Sequence, residues 1–436
     1  MDPYKSSVAN VTRDVVCTAC GCLCDDIVAH VRDGRVVAAE KACDRGKAWF
    51  LAPRDAPRPE ATVDGRSATL DEAVDRAASL LAEARNVLVY GLSETTIEAQ
   101  RTAIALADRL GATIDTPTSA TLGPIGMALQ GVGEMTCTLG EMRNRADLIV
   151  FWGCDPAVSH PRHFERYSLD APGMFLPRGR ADRFCIVVDI ERTATAARAD
   201  MFVQVRAGCD FESLWTLRAL MQGQALDGET VRAQTGVELG AWKVLGQRMR
   251  EANFGAMVYG SGLAQTRGGA MNVEALLALV RDMNAHTRFV ANALRGPGNQ
   301  VGADNVLLWQ TGFPMAVNLS RGFPRYGPGE FGASELLQRR EVDAVLIVAS
   351  DPLVELPESA DALRLVPTVC IDSRDTATAR AATVSIATAL YGIESPGTVY
   401  RMDDVPLALR PILPPSHPSD DEVLKAIASR IESSVA

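Results

Sequence analysis

The chain has 436 residues, of which 47% are hydrophobic and 22% charged, with a formal net charge of -10. That length exceeds one ordinary core and calls for two or three packed units. The acidic balance excludes nucleic acid as the expected partner, because a phosphate backbone needs a basic surface, and no apolar run approaches the roughly 20 residues that cross a bilayer.

The opening MDPYKSSVAN lacks the apolar core of a secretory signal, and ten cysteines without the spacing of a small disulfide framework fit a reducing, cytoplasmic setting. Many Ala, Leu and Val residues with few aromatics point to α/β layers, in which parallel strands read as short continuous apolar runs.

The first feature in chain order is Cys17-Thr18-Ala19-Cys20-Gly21-Cys22-Leu23-Cys24-Asp25-Asp26, with Cys43 downstream. Cys17, Cys20 and Cys24 stand at C-x2-C-x3-C spacing, so two tight turns can gather three sulfurs and a hairpin can return the fourth. Thiolates arranged this way ligate an iron–sulfur cluster or zinc; the plain alternative is a group of small buried cysteines. Five of the ten cysteines fall within 27 residues of loop-like sequence, which favours the metal reading. Cys22 is surplus to a four-ligand site and is expected to pack.

Residues 26–31 and 34–39 read as paired strands turning at Arg32-Asp33-Gly34, with His30 facing solvent. The proline-rich stretch 52–59 reads as a linker. An amphipathic helix is expected over 70–84, with Asp71 and Glu72 in its first turn. A buried strand over 86–91 follows, then a helix over 96–110 stopped by Gly111.

An internal duplication then becomes visible. The strand 146–153 leads into Cys154-Asp155-Pro156, and 342–349 leads into Ser350-Asp351-Pro352. Asp189-Ile190-Glu191-Arg192-Thr193-Ala194-Thr195-Ala196 echoes Asp372-Ser373-Arg374-Asp375-Thr376-Ala377-Thr378-Ala379, and 86–91 echoes 255–260. Such echoes imply two related α/β units. Gly91, Asp155, Asp189, Gly260, Asp351 and Asp372 fall at strand carboxyl ends, where open α/β sheets bind ligands, and Asp189 and Asp372 stand where ribose-binding acids would. The competing expectation is that the Thr-Ala-Thr-Ala strings merely cap helices. The tail 401–418 is expected to wrap a surface, and 420–431 to form a closing helix.

These readings divide the chain into a cysteine-rich unit at 1–55, part of a first α/β unit at 56–145, an α/β unit at 146–250, a second at 251–400, and a tail with closing helix at 401–436. The fold class is α/β: a small N-terminal β unit and two related doubly wound units.

Six strings carry a resemblance over nearly the whole chain: CTACGCLCDD (17–26), TLGEMRNRADLIVFWGCDPAVSHPRHFERYS (138–168), YGSGLAQTRGG (259–269), WQTGFP (309–314), SRGFPRYGPGE (320–330) and GTVYRMDDVP (397–406). The chain resembles the molybdopterin oxidoreductases, and within them the family of formylmethanofuran dehydrogenase B subunits. In catalytic members, the resemblance implies, a tungsten or molybdenum bis-pterin reduces carbon dioxide to formate on a cysteine or selenocysteine ligand followed by His-Gly-Pro. The matching place here reads Thr121-Leu122-Gly123-Pro124. A threonine hydroxyl is no ready substitute for a thiolate on a soft metal, and leucine cannot move a proton. Arg295 resembles an active-site arginine of that family. Cys137 and Cys154 are expected to pack. His160 and His163 belong to a shared loop, and Arg143, Arg145 and Arg162 could equally be ion-pair partners.

This pattern of loss looks like the B subunits of formyltransferase/hydrolase complexes, which transfer formyl from tetrahydromethanopterin to a methanofuran-type carrier and release formate. The resemblance implies three partners: an amidohydrolase-type subunit, a β-helix-type subunit and a formyltransferase subunit. It also implies one 4Fe–4S cluster on Cys17, Cys20, Cys24 and Cys43, no tungsto- or molybdopterin, and no C-terminal β-barrel. The alternatives are a catalytic tungsten or molybdenum subunit, and a nucleotide- or pterin-binding sensor.

Overall fold

A computed structural model describes residues 10–52 and 59–435. The opening decapeptide except its last residue, the core of the expected linker and the division at 55/56 lie outside the described residues. The chain divides into two compact units, one of residues 1–120 with 296–436 and the other of 121–295. The divisions expected at 145/146, 250/251 and 400/401 do not follow this partition, because the second unit is inserted whole into the first.

In the first unit the cysteine-rich segment builds an antiparallel sheet, Asn10–Val15, Ile27–Arg32 and Arg35–Glu40. Its hairpin turns on Asp33 and Gly34, both at positive φ (51° and 74°), the backbone a two-residue turn demands. His30 keeps a partly exposed place and meets Glu40 Oε1 at 2.7 Å.

The main sheet of this unit runs, in spatial order, Val384–Ala387, Thr368–Asp372, Ala344–Val348, Val87–Gly91 and Thr113–Asp115, all parallel. Short antiparallel pairs extend both edges. Its apolar runs are buried on both faces: Val87, Val89, Leu346, Val348 and Ile371 enter one cluster, Leu88, Tyr90, Val345, Ile347 and Cys370 the other. Against the first face pack Leu70–Glu83, started by a Thr69–Glu72 capping box, and the closing helix Asp420–Val435 through Val423, Leu424, Ile427 and Ile431. The helix Ile97–Leu110 is capped by Thr96 and stopped by Gly111 at φ 61°.

The tail is more regular than its prolines suggest. Gly397–Tyr400 pairs antiparallel with Pro406–Leu409; Pro406 opens its strand, where a missing N–H costs no ladder bond. This single pair is no barrel.

The second unit carries its own parallel sheet, in the order Met201–Gln204, Phe184–Asp189, Leu148–Trp152, Phe254–Tyr259 and Arg288–Ala293. Strand for strand this order repeats the first sheet, but the chain traverses it in permuted sequence. The echoes group differently from their order along the chain: Val87–Gly91 pairs with Ala344–Val348 rather than Leu148–Trp152, which instead receives Phe254–Tyr259.

The duplication extends to individual hydrogen bonds. Asp155 accepts from Thr195 N (2.9 Å) and Oγ1, while Asp351 accepts from Thr378 N (2.9 Å) and Oγ1 (2.6 Å). Thr195 Oγ1 then accepts from Ala157 N (3.1 Å) and Thr378 Oγ1 from Leu353 N (3.2 Å). Thr193 and Thr376 accept from Ala196 N and Ala379 N. Each Asp-Pro turn is thus tied to the loop after the neighbouring strand by one carboxylate. Because both carboxylates take the same threonine amide and hydroxyl, Asp351 adding Ala377 N, Asp155→Ala and Asp351→Ala should each cost about 2 kcal/mol, the scale of lost hydrogen bonds to a charged acceptor. Urea unfolding midpoints check this, and a silent variant at either position contradicts the equivalence.

Candidate functional site

The cysteine loop folds back on itself through Cys17 N to Cys24 O (2.9 Å) and Leu23 N to Cys20 O (3.1 Å). Leu23 takes a positive φ of 37°, held there by burial among Val16, Tyr391, Val399 and Leu409. Cys17, Cys20, Cys22 and Cys24 are buried and Cys43 is partly so; none of the five forms a disulfide. Burial, with smaller contributions from Cys24, Cys20 and Cys43, pushes the Cys17 thiol up to about 12, so the four side chains share one neighbourhood. Cys43 caps the helix Asp44–Phe50, its Sγ accepting from Gly46 N at 3.4 Å.

Among the described residues no three His, Cys, Asp or Glu side chains converge on one ion-sized point. Four cysteine sulfurs are by their chemistry the donor set of a 4Fe–4S cluster or of zinc. Cys22, fully buried inside the loop, packs as expected.

Thr121 and Leu122, where the sequence resemblance puts the family's metal position, lie in the helix Pro117–Val132. Thr121 is exposed, whereas Leu122 (4% exposed) joins Ile125, Ala128, Trp152 and Tyr259 in the apolar core of the second unit. Leu122 is thus a packing residue. This donor set does not fit a soft redox metal.

The six strand-edge residues are mostly consumed by the fold. A Cβ on Gly91 would stand 2.3 Å from Val348 O and 2.7 Å from Ser350 Cβ; on Gly260 it would stand 2.9 Å from Cys154 Cβ. Ser350 and Cys154 occupy equivalent places in the two sheets, so both glycines serve the same close approach. Asp155 and Asp351 hold the threonine loops already described. Asp372, fully buried, accepts from Arg374 N (2.8 Å) and its guanidinium (3.2 and 3.3 Å), and Arg374 also pairs with Glu94. Asp189 differs: its carboxylate takes Ile190 N at 2.7 Å and is partly exposed, and burial raises its pKa.

Other residues of the shared loop are structural. His160 meets Ser159 Oγ (2.9 Å) and the Arg295 carbonyl (3.0 Å). His163 is enclosed by Phe151, Phe164 and Tyr167, and burial drops its pKa to about 3, keeping it neutral. Arg143 donates to Pro172 O, Arg145 pairs with Glu141 and Arg162 with Glu165. Cys137 is buried against Asn292, and Cys154, partly buried, donates to Val258 O.

Several organising residues escape the sequence. Arg183 gathers the carbonyls of Ala146, Leu169, Ala171 and Arg143 at 2.6–3.3 Å. Asp115 accepts from Ala316 N, Ala333 N and Ser119 Oγ. Asp420 takes Thr95 Oγ1 at 2.5 Å; Thr388 lies near enough to pull on its pKa, yet Asp420 Oδ1 and Thr388 Oγ1 close no direct bond. Only the paired recurrence of Asp-Pro and Thr-Ala-Thr-Ala gave a signal for any such tie.

No family model matches the chain. It is 40% identical over 435 residues to the B subunit of the tungsten-containing formylmethanofuran dehydrogenase 2 of Methanocaldococcus jannaschii, covering 98% of this chain and 99% of that protein. It is 31% identical over 295 residues to the B subunit of the formyltransferase/hydrolase complex of Methylorubrum extorquens, covering 67% of this chain and 75% of that protein. Among solved structures, the M. extorquens formyltransferase/hydrolase complex with methylofuran matches at TM-score 0.71 and 27% identity, over 86% of this chain and 100% of that one. Acetylene hydratase from Pelobacter acetylenicus shares the fold at TM-score 0.73 and 14% identity, over 97% of this chain and 69% of that one. No helix among the described residues is long and apolar enough to cross a membrane.

Burial pushes Asp420 up to about 6 against the pull of Thr388 and Thr95. Its folded pKa exceeds its unfolded one, so its contribution to stability is complete below about pH 4 and is lost as pH rises through 6. Asp420→Asn should therefore gain on the wild type by about 2 kcal/mol between pH 4 and 7. Denaturation midpoints across that range test it; parallel pH profiles would show the carboxyl to be unshifted.

Proposed function

From the premise that this chain belongs to the family of formylmethanofuran dehydrogenase B subunits, we propose that it is a non-redox structural subunit of a formyltransferase/hydrolase complex. Such a complex moves formyl from formyl-tetrahydromethanopterin to a methanofuran-type carrier and releases formate. The observation that carries this reading is the burial of Leu122 in an apolar core, with Thr121 exposed beside it, at the place of the family's Cys-His pair. Neither side chain offers a soft anionic ligand or a titrating proton.

Cys17, Cys20, Cys24 and Cys43 would hold one 4Fe–4S cluster. When bound, such a group supplies one-electron chemistry and iron–thiolate cross-links; in this reading the cross-links are what remains useful. Gly91, Asp155, Asp189, Gly260, Asp351 and Asp372 are remnants of pterin-nucleotide edges kept as architecture, and Arg295 is a remnant of the old site. The partners are an amidohydrolase-type subunit, a β-helix-type subunit and a formyltransferase subunit, in the cytoplasm. The match to a chain of the M. extorquens complex supports this assembly.

The 40% identity to a tungsten-containing relative over nearly its full length favours a second reading, a catalytic subunit with altered metal ligation. Thr121→Ala in the assembled complex separates the two. Formate release should stay within about twofold of wild type, since no catalytic contact is lost. A loss above about tenfold with assembly intact would instead place the reaction at residue 121.

A further inference from the structure

Gly46 is a poor choice for its place. It sits buried in the first turn of Asp44–Phe50, where glycine forms helix less well than alanine, and its φ is not positive, so its backbone does not call for glycine. The reason lies in its neighbours. A Cβ at 46 would stand 3.1 Å from Cys17 Sγ, 3.3 Å from Ala42 Cβ and 3.8 Å from Cys43 Sγ. The Gly46 N–H meanwhile donates to Cys43 Sγ at 3.4 Å. Residue 46 thus lies against two sulfurs that come from opposite ends of the cysteine-rich segment.

We propose that Gly46 is a positioning residue for the four-cysteine site: its missing side chain leaves the Cys17 sulfur room to aim at the bound group, and its amide holds the Cys43 sulfur. The proposal rests on the reading of Cys17, Cys20, Cys24 and Cys43 as 4Fe–4S ligands. A free thiol swings among staggered rotamers and can yield to an added methyl by a few tenths of an ångström. A sulfur bonded to iron has its direction fixed and cannot. An alanine at 46 therefore costs the loaded chain more than the metal-free chain, in which only Ala42 Cβ has to give by a few tenths of an ångström while alanine's better helix propensity offsets it. The surroundings of cluster sulfurs also set reduction potential, so pushing Cys17, or shifting residue 46 and its amide bond to Cys43, changes that property.

The test uses the full chain, with Gly46→Ala compared against Gly240→Ala. Gly240 lies in the helix Leu239–Glu251 with open space where its Cβ would stand. All three proteins are reconstituted anaerobically with ferrous iron and sulfide, then challenged with a chelator. Iron content, the electron paramagnetic resonance spectrum of the reduced form and its midpoint potential are recorded, with the thermal midpoint of the metal-free chain. Gly46→Ala should lose iron about tenfold faster than wild type, with a shifted spectrum and potential, while its metal-free thermal midpoint matches. Gly240→Ala should behave as wild type. Equal retention with superimposable spectra would overturn the role of Gly46 and leave the cluster standing. A metal-free Gly46→Ala chain that melts well below wild type would reduce the role to packing. A wild type that takes up no iron would overturn the cluster reading, and this proposal with it.

Discussion

The pairing of Val87–Gly91 with Ala344–Val348 holds the first unit together, and it does so across the whole of residues 121–295. Closing so long a loop costs entropy before any contact rewards it. Both strands repay it with complete burial, ten positions along two adjacent runs. The fit is close: Gly91, at φ 111°, passes Val348 O where no Cβ could stand. The cysteine loop depends on the same unit, since Gly298 N reaches Thr18 O at 3.0 Å and Met402 N reaches Gly21 O at 3.1 Å.

Buried and half-buried charge is engaged inside the fold. Asp351 serves three donors of one loop, Asp372 is closed by Arg374, and Asp304 takes the hydroxyls of Thr116 and Thr118. A buried carboxylate without such partners would be costly, so each is firmly committed. Groups that could greet a nucleotide at a strand edge are engaged in holding that edge in shape. On the proposed reading, conversion from a redox subunit to a building subunit would need little change elsewhere: Leu122 would pack where the family has a titrating side chain, with both sheets kept.

Local physics was legible in the sequence wherever it acts over short distances. Thr69 with Glu72, the apolar spacing of 70–83, Gly111 after its helix and the Asp33-Gly34 turn all read directly. The apolar strands were equally plain. What partnered them was not, because an echo such as 86–91 with 255–260 records common shape and says nothing of which neighbour a strand will find. The permuted order of the two sheets follows from long-range pairing alone. The spacing of the four cysteines was equally plain in the sequence. The work of Gly46 did not, since the sulfurs it faces belong to residues 17 and 43 and meet only after folding. Arg183 and Asp420 stayed hidden for the same reason.

The most direct test of the account is elemental analysis of the complex purified without oxygen from cells supplied with tungstate and molybdate. The account predicts about four irons per copy of this chain and neither tungsten nor molybdenum above background. One tungsten or molybdenum per copy would contradict it, because the helix bearing Thr121 and Leu122 would then still serve a redox centre.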